Sequence, residues 1–213
     1  MDISLTDIVV NLPDGRRSLF QIRELKIPYG SRMLIHGPSG IGKTTLLHLI
    51  AGLFLPDKGD VTVGDSRMRD MNDFQRSGLR RKKFGIVFQR LNLIEHLNAY
   101  ENVVLPLPPV PESAERAVRS LDKVNLSKLR YERVTNLSLG EQQRVAIARV
   151  LASNASIVLA DEPTSSVDDK NAKDVIDALL ETSENKTLVV VSHDHRIRPR
   201  FDTVADFEQL TSS

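Results

Sequence analysis

The sequence contains no cysteine in its 213 residues, which excludes disulfides, thiolate metal sites and a cysteine nucleophile. This agrees with a cytoplasmic setting. An excess of one charge is also missing, since 29 Lys and Arg stand against 28 Asp and Glu for a formal net charge of +1. Such balance argues against a general nucleic-acid or membrane-surface binder, and no direct nucleic-acid partner is expected. The one local excess, Arg80-Arg81-Lys82-Lys83, reads as a solvated helix end. Long apolar runs are absent too. The longest, Leu46 to Leu55, covers ten residues and includes His48 and Gly52, whereas a membrane span needs about 20. Met1-Asp2-Ile3-Ser4 shows no basic segment followed by an apolar one, so no secretory leader is expected.

What is present suits one sizeable domain over residues 1–213, with 40% apolar and 27% charged residues. Ile3 to Val10 and Ser18 to Ile27 alternate as antiparallel strands do, split by a turn at Pro13-Asp14-Gly15. Met33 to Ile35 reads as a short buried strand, and Lys43 to Ala51 as a helix that Gly52 ends. Pro56 to Gly59 turns into a strand at Val61 to Val63, and Phe84 to Phe88 is a further buried strand. A helical insertion is expected over roughly 90–153, including a helix from Glu112 to Val124 with Ala114, Ala117, Val118 and Leu121 on one face. The last third returns to alternation: helix Gly140 to Ala152, strand Ser156 to Ala160, helix Asp168 to Thr182, and a strand of continuous apolar character at Thr187 to Val191. That last pattern belongs inside a parallel sheet, so the fold is expected to be α/β.

Gly37 to Thr44 fits G-x-x-x-x-G-K-[ST] between a strand and a helix. Glycines there let backbone N–H groups wrap a phosphate, and the following helix adds its positive end. Lys43 supplies a point charge for the β- and γ-phosphates, and the Thr44 hydroxyl suits magnesium. By itself this loop leaves GTPases, small-molecule kinases and motor ATPases open. The second constellation is a buried strand ending in Asp161-Glu162. A carboxylate at a strand end can hold the magnesium shell, which suits Asp161, and its neighbour Glu162 can orient or deprotonate an attacking water.

Leu137-Ser138-Leu139-Gly140-Glu141-Gln142-Gln143-Arg144 opens a predicted helix upstream of that acid pair. With these residues the chain resembles the nucleotide-binding subunit of ABC transporters, whose signature reads L-S-G-G-Q or, in one branch, L-S-G-G-E-Q-Q-R. Gln89, after Phe84 to Phe88, matches the Q-loop glutamine. Ser165-Ser166-Val167-Asp168 matches the D-loop, and His193 in Val191-Ser192-His193-Asp194 matches the switch histidine. The likeness runs from about Leu5 to Phe207.

The resemblance implies a P-loop NTPase core of ABC ATPase type, with an antiparallel β subdomain and a small helical subdomain. It implies a magnesium-dependent ATPase in which two identical or similar chains sandwich two ATP molecules. Each site would join the phosphate loop of one chain (Gly37, Pro38, Ser39, Gly40, Ile41, Gly42, Lys43, Thr44 and Thr45) to Ser138, Gly140 and Glu141 of the other. Asp168 would contact the opposite chain. Glu162 would polarise the attacking water, His193 would contact the γ-phosphate, and Gln89 would approach the magnesium beside Thr44 and Asp161. The stretch Phe88 to Ile94 through Glu101 to Leu107 resembles the lipoprotein-release and macrolide-exporter branch, in which the ATPase pair drives an integral membrane permease from the inner face of the cell membrane. A regulatory ATPase signalling through a membrane partner to cell-wall enzymes shares every motif. A soluble ABC ATPase of nucleic-acid metabolism usually carries coiled coils or tandem domains.

Two departures stand out. Leu139 replaces the first glycine of the signature pair, which is expected to crowd the nucleotide or stiffen the loop. The region after the first strand, Val9-Val10-Asn11-Leu12, has no ring to stack on adenine. Phe20 is the nearest substitute, but core packing is its expected role, so poor discrimination between ATP and GTP is predicted.

Overall fold

The computed structural model describes residues 1–12, 17–165, 167–183 and 185–211. Alternating apolar positions set β1 (Ile3–Asn11) and β2 (Ser18–Ile27) as an antiparallel pair. The turn expected at Pro13-Asp14-Gly15 lies outside the described residues. A continuous apolar run forms β3 (Arg32–His36), which leads through the glycine-rich loop into α1 (Lys43–Ile50). Gly52, at φ 64°, follows that helix as expected. The chain then returns to the first sheet as β4 (Lys58–Val63) and β5 (Ser66–Arg67), giving the order β2-β1-β4-β5.

The helix α2 (Asp73–Lys83) buries none of its residues, so no apolar period announces it. A capping box between Asn72 and Gln75 starts it, and the basic run Arg80–Lys83 occupies its last turn, where cations meet the carbonyl end of the dipole. Arg81 and Lys82 are exposed as expected. Arg80 departs from that expectation, because its guanidinium donates to the Gly52 carbonyl at 2.6 Å.

After β6 (Phe84–Val87) come α3 (Ala99–Val104), α4 (Pro111–Lys123) and α5 (Leu139–Ser153). The buried face of α4 is Ser113, Ala117, Ser120 and Leu121, while Ala114 is exposed, so the face is rotated from the predicted one. Serine can occupy it because both hydroxyls are satisfied: Ser113 donates to the Pro108 carbonyl and Ser120 to the Arg116 carbonyl, each at 2.7 Å. The chain ends with β7 (Ile157–Asp161), α6 (Asp169–Thr182), β8 (Thr187–Ser192), β9 (Thr203–Asp206) and α7 (Phe207–Thr211).

The second sheet is parallel, in the order β6-β7-β8-β3-β9. Its central strands are buried on both faces, which is why they read as continuous apolar runs. Alternation divides them between two cores. Ile157, Leu159, Val189 and Val191 pack with α1 and the antiparallel sheet, whereas Val158, Ala160, Leu188 and Val190 pack with residues of α3 to α6. The carboxyl ends of β3, β7 and β8 lie side by side, with His36 opposite Ser192 and Asp161 opposite Val191. Loops leaving such an edge are where open α/β sheets bind ligands. No helix among the described residues is long and apolar enough to cross a membrane.

Candidate functional site

A pocket of about 240 Å³ opens at that edge, lined by Leu19, Ser39, Gly40, Gly42, Lys43, Thr44, Thr45, Gln89, Glu162 and His193. Most of the predicted site residues therefore converge on one place. The loop below it depends on its glycines. Gly42 has φ 109°, and a Cβ there would stand 2.8 Å from a ring carbon of Phe20. A Cβ on Gly37 would stand 2.8 Å from Ile41 Cδ1, so the loop closes on its own Ile41.

Lys43 is 4% exposed, and its ammonium donates to the carbonyls of Gly37 at 2.8 Å and Pro38 at 2.7 Å. The same nitrogen lies 3.2 Å from Glu162 Oε1. One turn of chemistry away, the Thr44 hydroxyl donates to Asp161 Oδ1 at 3.0 Å. These two hard oxygens, with the nearby Gln89, form a donor set suited to magnesium. Burial pushes the Asp161 carboxyl above its usual range, against the opposing effects of the Thr44 hydrogen bond and of the charges on His48 and Lys43.

Glu162 adopts φ 46°, a left-handed conformation that costs a non-glycine residue roughly 1–2 kcal/mol. Its N–H donates to the Val191 carbonyl at 2.9 Å. The carboxylate is fixed from three sides. Oε2 accepts from the Ser192 hydroxyl at 2.9 Å, the His193 N–H at 3.2 Å and His193 Nδ1 at 2.9 Å. Burial pushes this carboxyl up, but the hydrogen bonds from His193, Ser192 and Lys43 outweigh it and hold Glu162 below the usual carboxylate range. It is thus an ionised, desolvated carboxylate facing the pocket.

The signature residues are elsewhere. Ser138 caps α5, and its N–H and hydroxyl donate to Glu141 Oε2 at 2.8 and 2.7 Å. The Ser138 hydroxyl bond is the main reason the Glu141 carboxyl titrates below its usual range. Gly140 is buried in the first turn, while Leu139 beside it is 42% exposed and, with Gln89 and Gln142, borders a separate surface depression. Asp168 is exposed just before α6, and Ser166 lies outside the described residues.

Phe20 is 4% exposed and meets Phe207 edge to face, with ring centroids 5.5 Å apart, so it packs the core as expected. Its neighbour Leu19, on the opposite side of β2, supplies the apolar wall of the pocket. Sequence reasoning overlooks other contributors. Arg149 of α5 donates to the carbonyls of Leu91 at 2.7 Å and Asn92 at 2.9 Å, tying the segment after Gln89 to the helix that begins at the signature. Asp194, next to His193, accepts from Arg196 and from the Thr164 hydroxyl at 2.7 Å. The Arg196 hydrogen bonds are the main cause that lowers its carboxyl to about 2. Each of these partners is distant in sequence or hidden in an ordinary polar loop, so no local motif marks it.

Comparison with known proteins gives concordant results. A family model described as ABC transporter matches residues 20–165. The lipoprotein-releasing system ATP-binding protein LolD of Legionella pneumophila (strain Lens) is 42% identical over 187 residues, covering 85% of this chain and 82% of that one. The LolD protein of Xanthomonas axonopodis pv. citri (strain 306) is 37% identical over 200 residues, covering 91% and 82%. A dimeric, post-hydrolysis structure of the ATP-binding cassette MJ0796 bound to ADP and Pi superimposes with a TM-score of 0.86 at 34% identity, covering 95% of this chain and 92% of that one.

Proposed function

Because this chain belongs to the ABC transporter family of ATP-binding proteins, we propose that it is the ATP-hydrolysing subunit of a lipoprotein-release-type complex. In this reading the chain is a single nucleotide-binding domain over residues 1–213, and two copies close around two ATP molecules and drive a separate membrane permease. The dimeric form of the MJ0796 cassette supports pairing. So does the position of Ser138 and Gly140, which stand at a helix start outside the pocket of their own chain. A helix start offers N–H groups and a positive dipole end to the γ-phosphate held by the opposite chain.

The observation that carries the enzymatic reading is the Glu162 carboxylate, ionised and held by Ser192, His193 and Lys43 at the pocket wall. A carboxylate so oriented polarises water for attack on a phosphoryl group. The phosphate loop holds the nucleotide, with Lys43 exchanging its loop carbonyls for phosphate oxygens. His193 spends Nδ1 on Glu162, and its other nitrogen would donate to the γ-phosphate when the ring carries both protons. Thr44, Asp161 and Gln89 would hold magnesium, which supplies charge neutralisation at the phosphate oxygens.

The permease places the chain at the inner face of the membrane. Support comes from a groove of about 500 Å³ whose floor includes Phe84, Ile86 and Phe88, with Leu53 and Leu105 exposed at its margin and Arg80 and Arg81 on its rim. Such a groove suits a permease segment with apolar and acidic residues. Two measurements test the whole. Purified protein releases phosphate from ATP with magnesium, and tagged Glu162→Gln protein captured with ATP from native membranes brings a permease with it. Recovery of only soluble or nucleic-acid-associated proteins would sink the transport part and leave the ATPase part standing.

A further inference from the structure

His36 closes β3 one residue before the phosphate loop and has no role in the motifs above. Its ring is buried, 8% exposed, and is not part of the pocket lining. It reaches instead into the segment after β8. His36 Nε2 lies 3.3 Å from the His193 carbonyl oxygen, and its ring packs on His195 with centroids 4.3 Å apart. Beside it, the Gly37 N–H donates to the Ser192 carbonyl at 3.3 Å. The backbone on both sides of the His193 N–H is thereby tied to the exit of β3.

The same short segment carries the contacts that orient Glu162, through the Ser192 hydroxyl, the His193 backbone N–H and the His193 Nδ1. Its placement relative to the phosphate loop decides where the His193 ring and the carboxylate stand. We propose that His36 is a positioning residue for hydrolysis: its Nε2–H holds the His193 carbonyl, and its ring braces His195, so that the His193 imidazole stays between Glu162 and the nucleotide. This inference rests on the ATPase reading above. It requires the tautomer with the proton on Nε2, because a carbonyl oxygen can only accept.

Two substitutions separate the donor from the ring. His36→Phe keeps a flat side chain against His195 and removes the donor, whereas His36→Gln keeps an N–H near the Nε2 position and removes the ring. Steady-state hydrolysis with magnesium is measured for both, with thermal melting to verify the fold. The expected result is an ATP KM within about twofold of the parent for both, a kcat lowered about tenfold in His36→Phe, and recovery of part of it in His36→Gln, which restores the donor without the ring. His195→Leu, which leaves β3 untouched, lowers kcat with KM retained, and it serves if His36→Phe does not fold. Parent-like kcat in His36→Phe and His195→Leu overturns the proposal, as does an equal loss of kcat and ATP affinity. Absence of hydrolysis by the parent protein is a different failure: it removes the ATPase reading itself.

Discussion

Glu162 and His193 meet through Oε2 and Nδ1 at 2.9 Å, while the other oxygen of Glu162 faces the Lys43 ammonium at 3.2 Å. The carboxylate therefore bridges Lys43 and His193, the two residues proposed to contact phosphate. Glu162→Gln preserves shape and removes the charge. Hydrolysis is expected to fall by about 100-fold or more, with ATP binding retained and dimers accumulating at saturating Mg-ATP. Light scattering that finds only monomer under those conditions would count heavily against the paired mechanism.

Leu139 is exposed at the first turn of α5, where a partner's nucleotide would approach. If its side chain hinders closure by as little as about 0.7 kcal/mol, Leu139→Gly raises turnover about threefold. An unchanged rate would show that the leucine is accommodated.

The pocket offers Leu19 as its apolar wall and keeps Phe20 in the core. A base stacked on an aromatic ring gains about 1–3 kcal/mol, and among the described residues no Phe, Tyr or Trp lines the pocket. GTP should compete with bound ATP analogue at concentrations within about tenfold of those of ATP itself. Strong preference for ATP in a competition assay would mean that another group reads the base.

Arg149 is the hub between α5 and the segment after Gln89. Burial lowers its pKa, yet its charge is met by the Leu91 and Asn92 carbonyls. Arg149→Ala removes both bonds and leaves the part-buried Leu91 carbonyl short of a donor, which should cost roughly 1–2 kcal/mol in urea unfolding. A loss below about 0.5 kcal/mol would mean that water replaces the guanidinium without penalty.

Asp194 titrates at about 2, because Arg196 and Thr164 hydrogen-bond its ionised form. A carboxyl lowered on folding contributes stability above its unfolded pKa, and that contribution disappears as pH falls from about 4 towards about 2. Asp194→Asn should therefore cost roughly 2 kcal/mol at pH 7. The gap between parent and variant stays constant down to about pH 4.5 and narrows below it. A gap that widens on acidification would contradict the assignment.

The phosphate loop and the Asp161-Glu162 pair are legible in sequence because each is a contiguous run at the end of an apolar strand. The strands β7 and β8 are legible for the same reason, since burial on both faces leaves no polar interruption. By contrast, α2 is legible only at its basic end because it buries nothing, and the α4 face is misjudged because two serines satisfy themselves against nearby carbonyls. The bonds of Arg149 span 57 and 58 residues, and the contact of His36 with His193 spans 157. Such pairings belong to the register of β3 against β8 and to the docking of α5, neither of which a local pattern encodes. Leu19 and Phe20 show the smallest version of this limit: one residue decides which side of a strand faces the ligand.

The buried ammonium of Lys43 has a consequence for the order in which dehydration happens. Its water is stripped when the chain folds, and two loop carbonyls and a carboxylate stand in for it. The domain thus carries a desolvated cation as a standing load on its folding equilibrium. Phosphate reaching the pocket would meet a charge already dry, and would displace loop carbonyls from it instead of water. Such a domain gives up some of its own cohesion to be ready, and recovers it by mass action once nucleotide is bound.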